Sequence, residues 1–183
     1  MPKRQAQLII VCEDLQQEVF ARHFFLKRGF DRRKIRSAIH PKGKGSGEQG
    51  VRRQYPQEVR TYRRKHHYLA INLAVFIDAD PNVTVRQRKA ELDGALKADG
   101  QETRQPDEQI AVFVPKRNIE TWIHYLMGET VDEETAYTKF RHESECKPYV
   151  EKLAEEICPA GLPEDAPPSL CIACEELQRI LIS

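Results

Sequence analysis

Three short apolar segments constrain the fold of this chain more than any other feature. They are QLIIVC at 7–12, YLAINLAVFI at 68–77 and QIAVFV at 109–114. Short continuous apolar runs of this kind are typical of strands that are buried on both faces. Because amphipathic helical patterns separate them, the sequence predicts an α/β fold with a mostly parallel, Rossmann-like sheet and helices on both faces.

Weaker signals complete this prediction. Residues 34–39 alternate between apolar and polar and predict a second, less buried strand. A glycine-rich loop follows at 42–50 and leads into a helix at 52–65, in which Pro56 must lie in the first turn or break the helix. Later helices are expected to begin after N-caps. The expected N-caps are Thr84, Asn118 and Ser169.

Beyond residue 128 the sequence shows helical patterns and no strand. The predicted helices are 133–141, 148–157 and 169–182. We therefore divide the chain into an α/β domain at 1–128 and a helical C-terminal extension at 129–183 that packs on it.

Composition narrows the class of protein. The 183 residues are 40% hydrophobic and 31% charged, which suits one compact domain rather than a disordered or fibrous chain. The longest apolar run is far too short to cross a membrane, and the first residues, MPKR, lack the apolar segment of a signal peptide. Five cysteines without a scaffold spacing favour a reducing compartment. We expect a cytoplasmic protein with no membrane contact and no structural disulfide.

Charge is divided unevenly along the chain. Residues 1–67 hold 17 Lys and Arg against 6 Asp and Glu, a net charge of +11, whereas residues 68–183 hold 12 against 22, a net charge of −10. A basic first third can neutralise phosphates, and an acidic remainder can supply metal ligands or a solvated face. Nucleic acid is therefore the expected partner.

Acidic residues follow three of the predicted strands. Glu13 follows the first, Asp78 and Asp80 follow the third, and Glu120 lies a short turn beyond the fourth. The carboxyl ends of strands are where ligands bind in open α/β sheets, and residues two apart in an extended chain point to one side. Clustered carboxylates repel each other unless a cation offsets their charge. A site made only of oxygen ligands favours Mg²⁺ or Mn²⁺. The sequence thus predicts a site for one or two divalent ions.

Basic residues are placed where they can contact phosphate. Four surround the glycine-rich loop, whose unhindered N–H groups can also bind phosphate oxygens, and two precede Glu120. The four at the loop are Lys42, Lys44, Arg52 and Arg53, and the two beside Glu120 are Lys116 and Arg117.

The order and position of these residues resemble the Toprim family, which includes modules of topoisomerases, bacterial primases and nucleases of the overcoming-lysogenization-defect type. The resemblance covers about residues 7–126 and rests on Glu13 in LIIVCED, the glycine-rich connection, and Asp78 and Asp80 in AVFIDADP. Two features depart from the family: Asp14 stands where a glycine is common, and no Tyr has a topoisomerase nucleophile context.

The resemblance implies a Mg²⁺-dependent nuclease that hydrolyses phosphodiester bonds. Glu13, Asp78 and Asp80 would hold the metal, and Glu120 looks like the extra acid of the nuclease branch. That branch also implies a separately encoded ABC-type ATPase partner in phage defence, because related Toprim domains are fused to or encoded with such ATPases. This sequence has no Walker A motif, so any ATP hydrolysis would need another chain. A homo-oligomer is compatible with the sequence.

The sequence is also compatible with other functions. A Toprim-like module without catalysis could bind nucleic acid or a partner protein, and an α/β phosphotransfer protein could use Asp78 as its phosphoacceptor. The C-x-x-C at Cys171 and Cys174 could join Cys146, Cys158 and His142 at a zinc ion, although small buried side chains explain these cysteines better.

Overall fold

A computed structural model describes residues 7–180 of the chain. Four parallel strands form one sheet in the order β2-β1-β3-β4, with β1 paired to both β2 and β3. The protein is therefore a Rossmann-like α/β fold, as the apolar segments predicted. The strands are β1 (Gln7–Cys12), β2 (Ile35–Ile39), β3 (Ile71–Phe76) and β4 (Ile110–Phe113).

Helices connect and cover the strands. The four in the α/β part are α1 (Leu15–Lys27), α2 (Gly47–Lys65), α3 (Val85–Ala98) and α4 (Ile119–Leu126). Those of the C-terminal extension are α5 (Lys147–Lys152), α6 (Cys158–Ala160) and α7 (Pro168–Glu176), with a π-helical turn at Leu153–Ile157 between α5 and α6. No helix within 7–180 is long and apolar enough to cross a membrane.

The sheet buries side chains on both faces, as parallel sheets do. Leu8 and Ile10 of β1 point to one core with α1, α4 and the C-terminal extension. Ile9 and Val11 point to a second core with α2 and α3. The extension therefore adds its apolar residues to a core that the sheet already forms.

Chain order places a topological switch between β1 and β3. The chain leaves β1 for β2 on one side and later returns to β3 on the other side. Loops after two such strands diverge and leave a crevice at the carboxyl edge, which is where α/β proteins bind ligands.

Two helix predictions need correction near the glycine-rich loop. α2 begins at Gly47 because Ser46 caps it, so residues 47–50 are helical instead of part of a loop. Pro56 lies in the interior of α2, where the buried neighbours Tyr55, Val59 and Tyr62 anchor the helix to the sheet. Tertiary packing thus outweighs the lost hydrogen bond.

The predicted helix at 133–141 is absent. Asp132 instead accepts hydrogen bonds from the backbone N–H groups of Glu134 and Thr135, and its own N–H donates to the Tyr137 hydroxyl. Such local bonds compete with helix formation.

The last helix begins one residue earlier than predicted and Ser169 is not its N-cap. The N-cap position belongs to Pro167, and the Ser169 hydroxyl accepts a hydrogen bond from Trp122 Nε1 at 2.9 Å. α7 ends at Glu176, and the predicted continuation over 181–182 lies outside the described residues.

The expectation of no disulfide was wrong. Cys158 and Cys174 form a disulfide. They are 16 residues apart in the chain, and the bond joins α6 to α7. By sequence, Cys158 and Cys174 are possible zinc ligands or small buried side chains, whereas the fold joins them in a disulfide. Cys12 and Cys146 are buried free thiols. Burial raises the pKa of the Cys146 thiol to about 11, so this thiol stays protonated.

Candidate functional site

Glu13 and Asp78 meet at the carboxyl edge of the sheet, although 65 residues separate them. Glu13 follows β1 directly and Asp78 lies two residues beyond β3. The backbone N–H of Asp78 donates to Glu13 Oε2 at 2.5 Å. The switch between β1 and β3 thus brings together two of the acids that the sequence singled out.

Gln17 connects these two acids, and sequence reasoning missed it. Its Nε2 donates to Glu13 Oε2 at 3.2 Å and to Asp78 Oδ1 at 2.9 Å, while its Oε1 accepts from the Glu13 N–H at 2.8 Å. The side chain is fully buried. One signal could have found it: Gln17 lies four residues after Glu13, one helical turn along α1.

Asp14 fixes the start of α1 beneath this site. Its Oδ1 accepts from the Gln17 N–H at 2.9 Å, as an N-cap does. The residue that departs from the Toprim pattern therefore has a helix-capping role here, and it places Gln17 between the two acids.

The carboxyl groups of Glu13 and Asp78 have raised pKa values. For both the largest cause is loss of solvent on burial. The charge of Glu13 adds to the rise at Asp78, and the charge of Asp14 adds to it at both, whereas the hydrogen bond from Gln17 opposes it. This environment disfavours having both groups ionised in the absence of a cation.

Glu120 contributes a third carboxyl to the site. It lies in the first turn of α4 and is only 3% exposed. Burial raises its pKa, the charge of Asp14 adds to the rise, and the charge of Lys139 opposes it. Because Glu120 also raises the pKa of Asp78, the two belong to one electrostatic site.

Asp80 is oriented differently from the other predicted ligands. Its side chain is 57% exposed and its Oδ2 accepts from Arg88 at 3.0 Å. Arg88 is buried and also donates to the backbone oxygen of Asp78 at 2.9 Å and to Glu48 at 2.5 Å. Arg88 therefore fixes the segment 78–80 and holds the carboxylate of Asp80.

The predicted phosphate-binding residues fall into two groups. Lys42, Lys44 and Arg53 are exposed, whereas Arg52 forms an ion pair with Glu48 at 2.6 Å. Lys42 lines a groove together with Glu13. Of these basic residues, Lys42 is the one that the structure places beside the acids.

Lys116 and Arg117 follow β4 and join its end to the loop after β3. The backbone of Lys116 pairs with Ala79, and the Arg117 N–H donates to the Ala79 oxygen at 2.7 Å. Lys116 Nζ lies 4.0 Å from Glu134. These contacts hold the Asp78 loop against the loop that leads to Glu120.

The oxygen ligands of the site suit a hard divalent cation, but their side chains are not arranged to surround one. Glu13, Asp78 and Glu120 supply only oxygen atoms. Burial raises their pKa values by disfavouring the ionised carboxylates, and a bound cation would favour the ionised form. Within 7–180, however, no group of three or more His, Cys, Asp or Glu side chains is arranged to hold a metal ion.

Comparison with known proteins adds no relative. No protein-family model, no curated protein and no solved structure matches this chain. The class of protein is therefore given by its fold, and its function must be argued from the site.

Proposed function

We propose that this protein is a divalent-metal-dependent nuclease with a Toprim-like site. The observation that carries the proposal is the contact between Glu13 and Asp78 at the switch point of a parallel sheet. Glu120 lies in the same electrostatic site, and the exposed Lys42 borders it. Paired acids with a basic neighbour suit the hydrolysis of a phosphodiester.

Each side chain would have a separate role. Glu13, Asp78 and Glu120 would hold one or two Mg²⁺ or Mn²⁺ ions, which when bound polarise the phosphate and lower the pKa of the attacking water. Gln17 holds the first two carboxylates in register through its hydrogen bonds. Asp80 would join them only if its carboxylate leaves Arg88.

Basic residues would bind the substrate. Lys42 is exposed at the groove beside Glu13, so its ammonium can contact a phosphate. Lys116 and Arg117, whose backbones pair with Ala79 next to Asp78, would stabilise charge in the transition state. Lys44 and Arg53 would extend the basic surface around α2, and Arg52 would join them only by leaving Glu48.

The biological setting is part of the same proposal. The Toprim resemblance implies a cytoplasmic effector of phage defence that acts with a separately encoded ABC-type ATPase. The chain offers no Walker A motif, so ATP hydrolysis would belong to that partner.

A cleavage assay tests the proposal. Purified protein is incubated with labelled plasmid, single-stranded DNA and tRNA in Mg²⁺, in Mn²⁺ and in chelator. We expect metal-dependent cleavage that Glu13→Gln and Asp78→Asn each reduce by about 100-fold or more, because each removes a ligand charge. Glu156→Gln is the matched control, since Glu156 is exposed in the C-terminal extension.

A non-catalytic binding module is the second candidate. It is favoured by the ion pair between Asp80 and Arg88, which leaves the ligand set open. This candidate predicts nucleic-acid binding by wild type with no cleavage in Mg²⁺ or Mn²⁺, and that result would replace the nuclease proposal.

A further inference from the structure

Two exposed apolar side chains lie beside the acids. Among the described residues, few large hydrophobic side chains are strongly exposed, yet Leu15 (41%) and Ile39 (37%) are both among them. Leu15 begins α1 and Ile39 ends β2, and both line the groove that contains Glu13. We call Leu15 and Ile39 the apolar patch. Exposed apolar contacts at a binding groove suggest a ligand with an apolar face.

A second groove continues from the first. Asp14, Leu15 and Lys42 line both, and the second adds Lys139 and two more acids, Glu120 and Glu143. The combined surface therefore runs from the apolar patch past the acids, with Lys42 and Lys139 along it.

Lys139 belongs to the C-terminal extension, and its neighbours hold it in place. The backbone oxygen of Thr138 accepts a hydrogen bond from His124 Nε2 at 3.0 Å. The ring of Phe140 stacks on the ring of His124, with 4.9 Å between the ring centroids. Lys139 is exposed between these two anchors. An irregular segment that sequence reasoning read as a helix thus presents a cation to the groove.

We propose that this groove holds single-stranded nucleic acid, with an unstacked base on Leu15 and Ile39 and neighbouring phosphates on Lys42 and Lys139. This inference rests on the proposed function and names its substrate class. A base presents an apolar face only when it is unstacked, so a duplex cannot use the apolar patch.

Two lysines beside the apolar patch favour a ligand that carries phosphates. The four acids that line the grooves would face such a strand through the divalent ions of the proposed function, which offset their charge. Two exposed side chains are also too few for a stable protein interface, which buries about 1,200 Å² or more.

Binding assays test the role of the apolar patch. Fluorescence anisotropy in Ca²⁺ measures affinity for a short oligothymidylate, for an abasic strand of equal length and for a duplex. We expect wild type to bind oligothymidylate about fivefold or more tightly than either competitor. Leu15→Ser and Ile39→Ser should each remove most of this preference. Met127→Ser should not, because Met127 has a similar exposure of 40% and does not line either groove.

Salt dependence tests the lysines. Lys42→Ala and Lys139→Ala should each reduce the slope of log affinity against log salt by about 0.7, the value for one phosphate contact in a single strand. Lys97→Ala should leave the slope unchanged, since Lys97 is exposed in the last turn of α3 and lines neither groove.

The outcomes separate this inference from the nuclease proposal. Equal affinity for thymidylate and abasic strands overturns the base contact even if cleavage is metal-dependent. Tight base-dependent binding without cleavage supports the groove and overturns the nuclease. Self-association that Ile39→Ser abolishes in sedimentation, with unchanged nucleic-acid binding, would instead assign the apolar patch to a second copy of this chain.

Discussion

At the scale of single residues, buried polar side chains organise the site. Gln17 joins Glu13 to Asp78, and Arg88 joins the Asp78 backbone to Asp80. Both are nearly inaccessible to solvent. Neither is an acid that a motif search would select, yet each determines where a candidate ligand points.

The raised pKa of Asp78 predicts a gain in stability when its charge is removed. A carboxyl whose folded pKa is raised binds more protons folded than unfolded, so stability falls as pH rises from its ordinary pKa toward the raised one. In chelator, Asp78→Asn should therefore be more stable than wild type above neutral pH. The stability of the variant should also fall less steeply as pH rises. Urea unfolding across pH measures both.

The effect of divalent ions on stability tests whether Asp78 is a metal ligand. Mg²⁺ or Mn²⁺ should raise the melting temperature of wild type and have little effect on Asp78→Asn, because a ligand that binds only the folded state stabilises it. Equal metal-induced shifts in the two proteins would remove Asp78 from the ligand set.

At the scale of elements, α7 protects the open edge of the sheet. Glu176, its last residue, accepts from the Val112 N–H of β4 at 2.9 Å. It also binds Arg104 at 2.5 Å and Lys89 at 3.0 Å. A side chain from the C-terminal extension thus satisfies a backbone group of an edge strand.

Glu176→Gln should destabilise the protein and alter its acid unfolding. Burial alone would raise the pKa of Glu176, but the hydrogen bonds from Arg104 and Val112 outweigh it and lower this pKa to about 2. The stabilisation is present above about pH 4.5 and is lost as pH falls toward 2. We expect a loss of about 2–4 kcal/mol at neutral pH, measured by urea unfolding.

Glu175→Gln is the control for that experiment, because Glu175 is the exposed neighbour on the same helix. It should change stability by less than about 0.5 kcal/mol. If the two variants lose equal stability, the ion pairs of Glu176 do not stabilise the fold.

At the scale of the whole molecule, the C-terminal extension is built into the fold. Val150, Leu153 and Leu170 lie in the same core as the strand residues Leu8 and Phe76. The disulfide closes the extension onto itself, between α6 and α7. Unfolding of the extension would therefore expose one face of the sheet.

Removal of this disulfide should lower stability by at most about 3 kcal/mol, the chain-entropy value for a loop of 16 residues. The variant with both Cys158→Ser and Cys174→Ser should unfold at lower urea than wild type under oxidising conditions and should be insensitive to dithiothreitol. Cys171→Ser should behave like wild type, since Cys171 is a free thiol. A wild-type protein whose stability dithiothreitol leaves unchanged would contradict the bond.

The local pattern predicted most elements because local physics determines them. Apolar runs predicted β1, β3 and β4, and Thr84 caps α3 with Gln87 as its capping-box partner. Predictions were wrong where non-local contacts decide: α2 continues through Pro56 because its neighbours are buried, and Ser169 bonds to Trp122 instead of capping α7.

The sequence by itself determined the parallel α/β class and the acids that follow its strands, because hydrophobic periodicity and strand ends are readable along the chain. Only the tertiary structure decided which acids meet. Strand order brings Glu13 to Asp78, whereas the carboxylate of Asp80 forms an ion pair with Arg88. The fold also brings Cys158 to Cys174. These are contacts between residues far apart in the chain, and no local pattern encodes their distance.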